Sequence, residues 1–288
     1  MTVLVIGGNG QLGRHLREEL PGALFWDRSV VDLSDPAALS RRLAEVVPEA
    51  IINAAAYTAV DRAESEPDLA WTINAEAPAV LARAAQRLAV PLVHVSTDYV
   101  FDGVKTSGYE EADPVAPLNI YGRSKFGGEL AVATLCAKHW ILRTSWVFSE
   151  HGSNFPKTML RLGREREELR VVDDQRGRPT YAGDLARCIV ALLRDVGSER
   201  ALPWGLHHVG GGAVVSWKEF ADEIFAMASA AGAISRIPRV VAITTDQYPT
   251  PAARPRNSLL LTRATHAPQV SVPFDWQRGL KRVIAAQK

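Results

Sequence analysis

The stretch Val3-Leu-Val-Ile-Gly-Gly-Asn-Gly-Gln-Leu-Gly13 decides the architecture of this chain. Its first four residues are apolar, which is typical of a strand buried on both faces of a parallel sheet. Gly7, Gly10 and Gly13 follow, and the sequence from 11 to 20 has the pattern of a helix. Glycines at such a turn permit positive φ angles and let the backbone approach a pyrophosphate, whose charge the helix N-terminus stabilises. The stretch therefore predicts a dinucleotide-binding turn.

Strand and helix patterns alternate through the first half of the chain. Strands are predicted at 23–26, 50–53, 92–97 and 140–144, with helices at 36–47, 66–88 and 119–136. This order indicates an α/β fold with a doubly wound, Rossmann-type parallel sheet.

The pattern changes after about residue 150. Helices are predicted at 154–168, 184–195 and 217–231, and a proline-rich loop follows around 249–255. We expect residues 1–150 to form an NAD(P)-binding domain, to which 184–200 return. Residues 151–288 then form mainly a smaller C-terminal substrate-binding lobe over the carboxyl ends of the strands.

The composition excludes several classes of function. The 288 residues are 47% hydrophobic and 23% charged, with a net charge of +1, so neither nucleic acid nor a membrane is expected as a partner. No basic-then-apolar leader and no apolar run of about 18 residues occur, which predicts a cytosolic protein. The two cysteines, Cys136 and Cys188, lie in apolar helical patterns and are expected to be buried free thiols, not a disulfide or a metal site.

Tyr121 and Lys125 form the candidate catalytic pair. Four residues apart on a predicted helix, they lie on one face, and an ammonium beside a phenol favours loss of the phenol proton. Thr97 ends the preceding strand, where its hydroxyl can hydrogen-bond a substrate carbonyl together with the tyrosine. Beside a nicotinamide, these groups suit reduction or oxidation at a carbonyl or alcohol carbon.

Several other residues are expected at the cofactor. Asp27 ends the second strand, where a carboxylate can accept from both adenosine ribose hydroxyls, whereas the adjacent Arg28 can attract a 2′-phosphate. The choice between NADH and NADPH therefore stays open. The residues predicted to bind the cofactor are Gly7, Gly10, Gln11, Leu12, Gly13, Asp27, Arg28, Asp32, Leu33, Ala56, Tyr57, Thr58, Tyr121 and Lys125.

The spacing Gly-x-x-Gly-x-x-Gly resembles the extended short-chain dehydrogenase/reductase group. Longer motifs make the resemblance specific, because they are similar to those of the dTDP-4-dehydrorhamnose reductase family across essentially the whole chain. These motifs are Asn53-Ala-Ala-Ala-Tyr-Thr-Ala-Val-Asp61, Ser96-Thr-Asp-Tyr-Val-Phe101, Leu118-Asn-Ile-Tyr-Gly122, Arg143-Thr-Ser-Trp-Val147, Asn154-Phe-Pro-Lys-Thr-Met-Leu160 and Tyr248-Pro-Thr-Pro-Ala-Ala-Arg-Pro-Arg-Asn-Ser258.

The resemblance implies reduction of the 4-keto group of a dTDP-4-keto-6-deoxy sugar, dTDP-4-dehydro-L-rhamnose. On that basis Tyr121 donates the proton, Lys125 lowers the Tyr121 pKa and binds the nicotinamide ribose, and Thr97 orients the carbonyl. The residues expected to bind the substrate are Thr97, Asp98, Tyr121, Trp146, Asn154, Lys157, Arg254 and Arg256.

One departure qualifies this resemblance. Some family members form dimers bridged by Mg²⁺ through interface carboxylates, but this chain has Arg14-His15 after the glycine loop and only Asp184 near residue 183. We therefore expect no bridging metal and do not carry over a Mg²⁺ requirement, while a homodimer stays open.

Two alternative functions share part of this sequence pattern. A nucleotide-sugar dehydratase or epimerase of the same superfamily is the first, but sugar dehydratases typically carry an acid directly after a Thr-Asp pair, where this chain has Tyr99. The second is a non-catalytic regulatory subunit, like the reductase-like protein that serves methionine adenosyltransferase. The complete set Thr97, Tyr121 and Lys125 favours catalysis.

Overall fold

The computed structural model describes residues 1–262 and 272–287, and the first half alternates strands with helices as predicted. Its elements are β1 (Val3–Ile6), α1 (Gln11–Glu19), β2 (Leu24–Trp26), α2 (Pro36–Leu43), β3 (Ala50–Asn53), α3 (Val60–Ala63), α4 (Pro67–Trp71), α5 (Ala77–Leu88), β4 (Leu92–Thr97), α6 (Ile120–Leu135) and β5 (His139–Thr144).

The second half contains shorter strands between longer helices. Its elements are β6 (Val147–Phe148), α7 (Phe155–Glu165), β7 (Glu168–Val172), β8 (Arg176–Gly177), β9 (Thr180–Tyr181), α8 (Ala182–Arg194), β10 (Gly205–His208), β11 (Val215–Ser216), α9 (Trp217–Ala230), β12 (Arg239–Ile243) and α10 (Trp276–Ala285).

The central sheet has six parallel strands in the order β10-β5-β4-β3-β1-β2. β2 lies on one side of β1 and β3 on the other, so the strand order reverses between β1 and β3. In such sheets, ligands bind at that switch point, beyond the carboxyl ends of the strands. The predicted doubly wound parallel fold is confirmed.

Helices cover both faces of this sheet. One core contains side chains of α1 and α8 against the sheet, including Leu16, Ile189 and Leu193. The other contains side chains of α2 and α5, including Leu39 and Leu81. Helix α8 lies late in the sequence, and it nevertheless completes the layer beside α1.

A short π-helical turn, Thr72–Glu76, lies between α4 and α5 where the sequence predicted one uninterrupted helix. It places Asn74 so that its Oδ1 accepts from the Tyr57 amide at 2.8 Å and its Nδ2 donates to Ser124 Oγ at 3.0 Å. π-turns often occur at functional sites. Here the turn connects the loop after β3 to the helix that carries Tyr121.

The second-half elements build another core beside the carboxyl ends of the sheet. Phe148, Leu160, Phe220 and Trp276 are buried there, on α7, α9, α10 and β6. Strand β12 pairs in parallel with β7, and the sequence analysis did not predict β12. Helix α7 is shorter than the predicted 154–168, because residues from Glu168 onward form β7.

Both cysteines are buried free thiols, as expected. Burial raises the pKa of Cys188 to about 12. In the described parts of the chain, we find no helix whose length and apolar character would allow it to cross a bilayer.

The packing of α8 on the sheet leads to a stability prediction. Ile189→Ala should lower the free energy of unfolding by about 2–5 kcal/mol, because it leaves a cavity in the core shared by α1 and the sheet. Urea unfolding followed by circular dichroism measures this loss. The matched control is Val196→Ala just beyond α8, where the side chain is 40% exposed and the change should stay within about 0.5 kcal/mol. Equal losses in the two variants would contradict the packing argument.

Candidate active site

A cavity of about 750 Å³ opens at the carboxyl ends of the strands. Its lining includes the glycine turn after β1, Ala54 to Ala56 after β3, and Ser96 and Thr97 at the end of β4. Thr144 at the end of β5 lies on the same side. This cavity therefore lies at the switch point of the sheet, where such folds bind their ligands.

The glycine turn is shaped for close backbone contact. Gly7 has a φ of +90°, and the amides of Gly7 and Gly8 both donate to Trp26 O, at 2.8 and 3.2 Å. A Cβ on Gly13 would lie 2.1 Å from Gly7 O, so only glycine fits there. No side chain caps the start of α1 at Gly10. The first amides of α1 are therefore available to a pyrophosphate, and the turn fits a dinucleotide.

The end of β2 offers both carboxylate and guanidinium groups. Asp27 accepts from the Ser29 amide at 2.8 Å, and its hydrogen bonds from Ser29 hold its pKa below the usual range. Asn9 also donates to Asp27 and lines the cavity. Arg28, Asp32 and Leu33 line the same end. Both a ribose hydroxyl and a 2′-phosphate find partners here.

Helix α6 brings the catalytic pair to the cavity. Asn119 caps the helix by accepting from the Gly122 amide at 2.8 Å. A Cβ on Gly122 would lie 2.2 Å from Tyr99 O, so the start of α6 packs tightly on the turn that follows Thr97. Thr97, Tyr121 and Lys125 all line the cavity, and their catalytic roles stay predictions.

The Lys125 side chain is buried, being only 2% exposed. Its Nζ donates to Val95 O at 2.7 Å. Burial lowers the pKa of Lys125 to about 8, and the negative charge of Glu129, one turn along α6, opposes that shift. Glu129 is itself held by Arg143 Nε at 2.9 Å and by the Ser96 hydroxyl at 2.5 Å. A buried charge network therefore fixes the base of the catalytic helix.

The pKa of Tyr121 is raised, chiefly because its surroundings exclude water, and the neighbouring Thr97 hydroxyl partly offsets this shift. The phenol is therefore fully protonated at neutral pH. The expectation that Lys125 lowers the Tyr121 pKa stays a prediction.

An indole pair lines the side of the cavity nearest the second core. Trp146 stacks on Trp217 with ring centroids 3.5 Å apart and planes 7° from parallel. Trp146 has a φ of +50°, a conformation that non-glycine residues adopt only when their surroundings hold them there. Arg254 also lines the cavity, donating to Asp61 Oδ2 at 2.8 Å and to Tyr99 OH at 3.1 Å. These groups offer a flat apolar surface and a cation.

Five predicted residues do not line the cavity. Gly13 packs below the turn, and Tyr57 donates its hydroxyl to Glu66. Asn154 caps α7 and donates to Gln11 Oε1 at 2.8 Å, so its side chain joins α1 to α7. Lys157 donates to Glu150 O at 3.0 Å, and Arg256 is 66% exposed with Asp246 Oδ2 3.8 Å away. Their roles as ligands stay predictions.

The sequence analysis did not assign several residues that line the cavity. They include Asn9, Ser96, Tyr99, Gly152, Ser153 and Trp217. Asn9 lies inside the glycine motif, and Ser96 and Tyr99 lie within two residues of Thr97. Their closeness in sequence to predicted site residues could therefore have identified them. Trp217 had no such signal, because only the fold brings α9 to Trp146.

The carboxylate considered for a bridging Mg²⁺ is used within the chain. Asp184 is fully buried. It accepts from Arg187, from Arg278 Nη2 at 2.9 Å and from the Asp275 amide at 3.0 Å. It therefore does not suit an interface metal.

Comparisons with known proteins agree with this geometry. The family model described as RmlD substrate binding domain matches residues 1–288. The dTDP-4-dehydrorhamnose reductase of Aggregatibacter actinomycetemcomitans is 44% identical, covering 98% of each chain. The crystal structure of the Bacillus anthracis dTDP-4-dehydrorhamnose reductase in complex with NADP is 40% identical, covers 99% of each chain and has a TM-score of 0.89. The crystal structure of the Clostridium acetobutylicum reductase is 36% identical over 99% of each chain, with a TM-score of 0.90.

Asp98 gives a pH-dependent prediction. Burial raises its pKa to about 6, with the Ser258 and Thr97 hydroxyls opposing the shift. An unfolded aspartate titrates near ~3.9, so the folded protein holds this proton more tightly than the unfolded chain does. The folded state therefore gains its full stabilisation from protonated Asp98 below about pH 4, and it loses that stabilisation as the pH rises through about 6. Asp98→Asn should remove that loss. The stability of the variant minus that of wild type, measured as the free energy of unfolding, should therefore be about 2 kcal/mol higher near pH 8 than near pH 4.

Urea unfolding at the two pH values, without cofactor, measures this difference. Asp68→Asn on the exposed surface of α4 is the control and should give no such pH dependence. A difference between D98N and wild type that is the same at both pH values would refute the assignment.

Proposed function

Because the chain belongs to the RmlD substrate binding domain family, the family of the dTDP-4-dehydrorhamnose reductases, we propose that it reduces the C4 ketone of dTDP-4-dehydro-L-rhamnose with NAD(P)H. The product is dTDP-L-rhamnose. One observation carries this proposal: Thr97, Tyr121 and Lys125 line the same cavity as the glycine turn and the Trp146 indole.

The chain's own residues suit a bound dinucleotide. The amides at the start of α1 bind the pyrophosphate, Asp27 and Arg28 bind the adenosine ribose, and Lys125 binds the nicotinamide ribose. When bound, the nicotinamide supplies a hydride to C4 of the sugar.

Tyr121 is the proton donor in this proposal. Burial keeps its phenol protonated before the reaction, so a proton is available for the forming C4 alkoxide. The Thr97 hydroxyl orients the ketone oxygen and remains near the resulting phenolate. The Lys125 ammonium, held one helical turn away, stabilises that phenolate by its charge.

Trp146 and Arg254 are proposed to bind the substrate beside Asp98. The indole of Trp146, held rigidly against Trp217, packs on the sugar or the base. Arg254 provides a cation for the diphosphate, although it must share its guanidinium with Asp61 and Tyr99. We propose in addition that residues 1–150 with 184–200 hold the cofactor, and that 151–288 mainly hold the substrate.

The alternative functions fit the site less well. A dehydratase needs a further acid after Thr97-Asp98, whereas Tyr99 lies there with its ring edge-on to Tyr121 at 5.5 Å. A regulatory protein has no need of a buried Lys125 and a Glu129–Arg143 pair behind it. A homodimer stays a prediction.

The first test replaces the proposed acid. Tyr121→Phe should fold and bind cofactor like wild type, and its kcat should fall by about 10²–10⁴ because the alkoxide loses its proton donor. Oxidation of NADH and NADPH is followed with freshly generated dTDP-4-keto-rhamnose, with and without EDTA.

Tyr248→Phe, at a 60% exposed tyrosine, is the control and should retain turnover. Near-normal turnover in Y121F would exclude the proposed acid, and no oxidation of either cofactor by wild type would favour the regulatory alternative.

The second test concerns cofactor choice. Arg28→Ala should raise the KM for NADPH by about tenfold or more, a loss of roughly 1.4 kcal/mol, and leave the KM for NADH nearly unchanged. Arg28 is exposed at the rim of the cavity, so the variant should fold normally. Steady-state kinetics with both cofactors measure the effect. Equal changes for the two cofactors would show that Arg28 does not bind a 2′-phosphate.

A further inference from the structure

Three potential metal ligands meet where α1 contacts the loop between β6 and α7. They are His15, Glu150 and His151, and their nearest ligand atoms all lie within 4.8 Å of one another. We call these three residues the imidazole–carboxylate cluster. It lies outside the cavity proposed for the reaction, since none of its members lines that cavity. The sequence predicted no bridging metal, because Arg14-His15 follows the glycine loop and only Asp184 lies near residue 183.

Two buried ring nitrogens in this cluster make no well-formed hydrogen bond, and each has a carboxylate oxygen nearby, 3.3 Å away at Glu150 or 3.8 Å away at Glu18. They are His15 Nε2 and His151 Nε2, and the His15 side chain is only 4% exposed. A buried polar atom that makes no hydrogen bond is costly, and a bound water or ion can provide the missing partner. Both nitrogens carry a lone pair when they are not protonated, so a cation would satisfy them together.

The spacing fits a tetrahedral ion. His15 Nε2 lies 3.3 Å from Glu150 Oε2. Two ligands of one tetrahedral Zn²⁺, each about 2.1 Å from the metal, lie roughly 3.4 Å apart. The His15 and His151 ring centroids are 5.2 Å apart, and one ligand atom from each of the three residues lies within 4.8 Å of the others.

Neighbouring groups hold the three ligands in place. Tyr181 OH donates to the Glu150 carboxylate at 3.0 Å. Glu18 Oε2 lies 3.6 Å from His15 Nδ1, the ring nitrogen that faces away from Glu150. The His151 amide donates to Ser149 Oγ at 2.9 Å. Such outer partners are typical of metal-binding histidines and carboxylates.

A small pocket gives an ion access from solvent. It is lined by Asn9, Arg14, Arg17, Glu18 and His151. Glu18 Oε1 lies 3.8 Å from His151 Nε2 and can provide a fourth ligand or hold a bound water. The Arg14 and Arg17 charges oppose a cation, while the Glu18 and Glu150 carboxylates attract it.

From this arrangement we propose that the imidazole–carboxylate cluster binds one Zn²⁺ ion within a single chain. Two imidazoles and one carboxylate favour Zn²⁺ over Mg²⁺, which prefers oxygen ligands in octahedral geometry. The ion would join α1, which begins at the glycine turn, to the loop whose Gly152 and Ser153 line the cavity. Its proposed role is to fix that loop, and it takes no part in the reduction.

The site is tested by calorimetric titration of tag-free, metal-stripped protein with ZnCl₂ and with MgCl₂. We expect saturable binding of one Zn²⁺ per chain and no comparable binding of Mg²⁺. His151→Gln and Glu150→Gln should each weaken Zn²⁺ binding by about 10–100-fold or more, because each removes a ligand of the ion. Both residues are partly exposed, so the variants should fold.

His139→Gln is the matched control, at a partly exposed histidine that begins β5 at the opposite ends of the strands. It should bind Zn²⁺ like wild type. The unfolding temperature of wild type and H139Q should rise with Zn²⁺, and that of H151Q should not.

Co²⁺ in place of Zn²⁺ should give the visible absorption of a tetrahedral site in wild type. Absence of saturable Zn²⁺ binding in wild type, or equal affinity in H151Q and H139Q, would overturn the proposal. These readouts do not depend on reductase activity.

Discussion

The close approach of α1 to the turn after β1 is the constraint on which the rest of this structure depends. With no room for a Cβ at Gly13, helix and turn are in backbone contact, and this contact sets the direction of α1. The free amides at its start then face the cavity, and its apolar side packs with α8 on the sheet. A change at this contact would move both the phosphate site and a face of the core.

The same helix also joins the sheet to the second core. Gln11 accepts from Asn154, which caps α7, and His15 lies against Glu150 in the preceding loop. The loop that carries Gly152 and Ser153 is therefore held from the cofactor side of the cavity. Asn154 therefore links α1 to α7, and its predicted contact with substrate stays a prediction.

The proposed catalytic groups depend on a second set of close contacts. The start of α6 packs against Tyr99 O through Gly122, and this contact brings Tyr121 beside the turn at Thr97. Behind it, the buried pair of Glu129 and Arg143 neutralises charge near Lys125. A buried ion pair contributes little net stability, because desolvation offsets its Coulomb attraction. Here its effect is better understood as positioning of α6 and as support for the charged form of Lys125.

The sequence by itself determined the alternation of strands and helices, and it predicted a phosphate-binding turn and the candidate set Thr97, Tyr121 and Lys125. These depend on local patterns of apolar residues, glycine and hydroxyl groups. It did not reveal β10, whose residues Gly205–His208 include two histidines and lack the apolar run of a buried strand. Only the tertiary structure decided that Trp217 stacks on Trp146, that Asn154 binds Gln11, and that His15 meets His151. These contacts join residues far apart in the chain, and local propensity carries no information about which distant side chains a fold brings together.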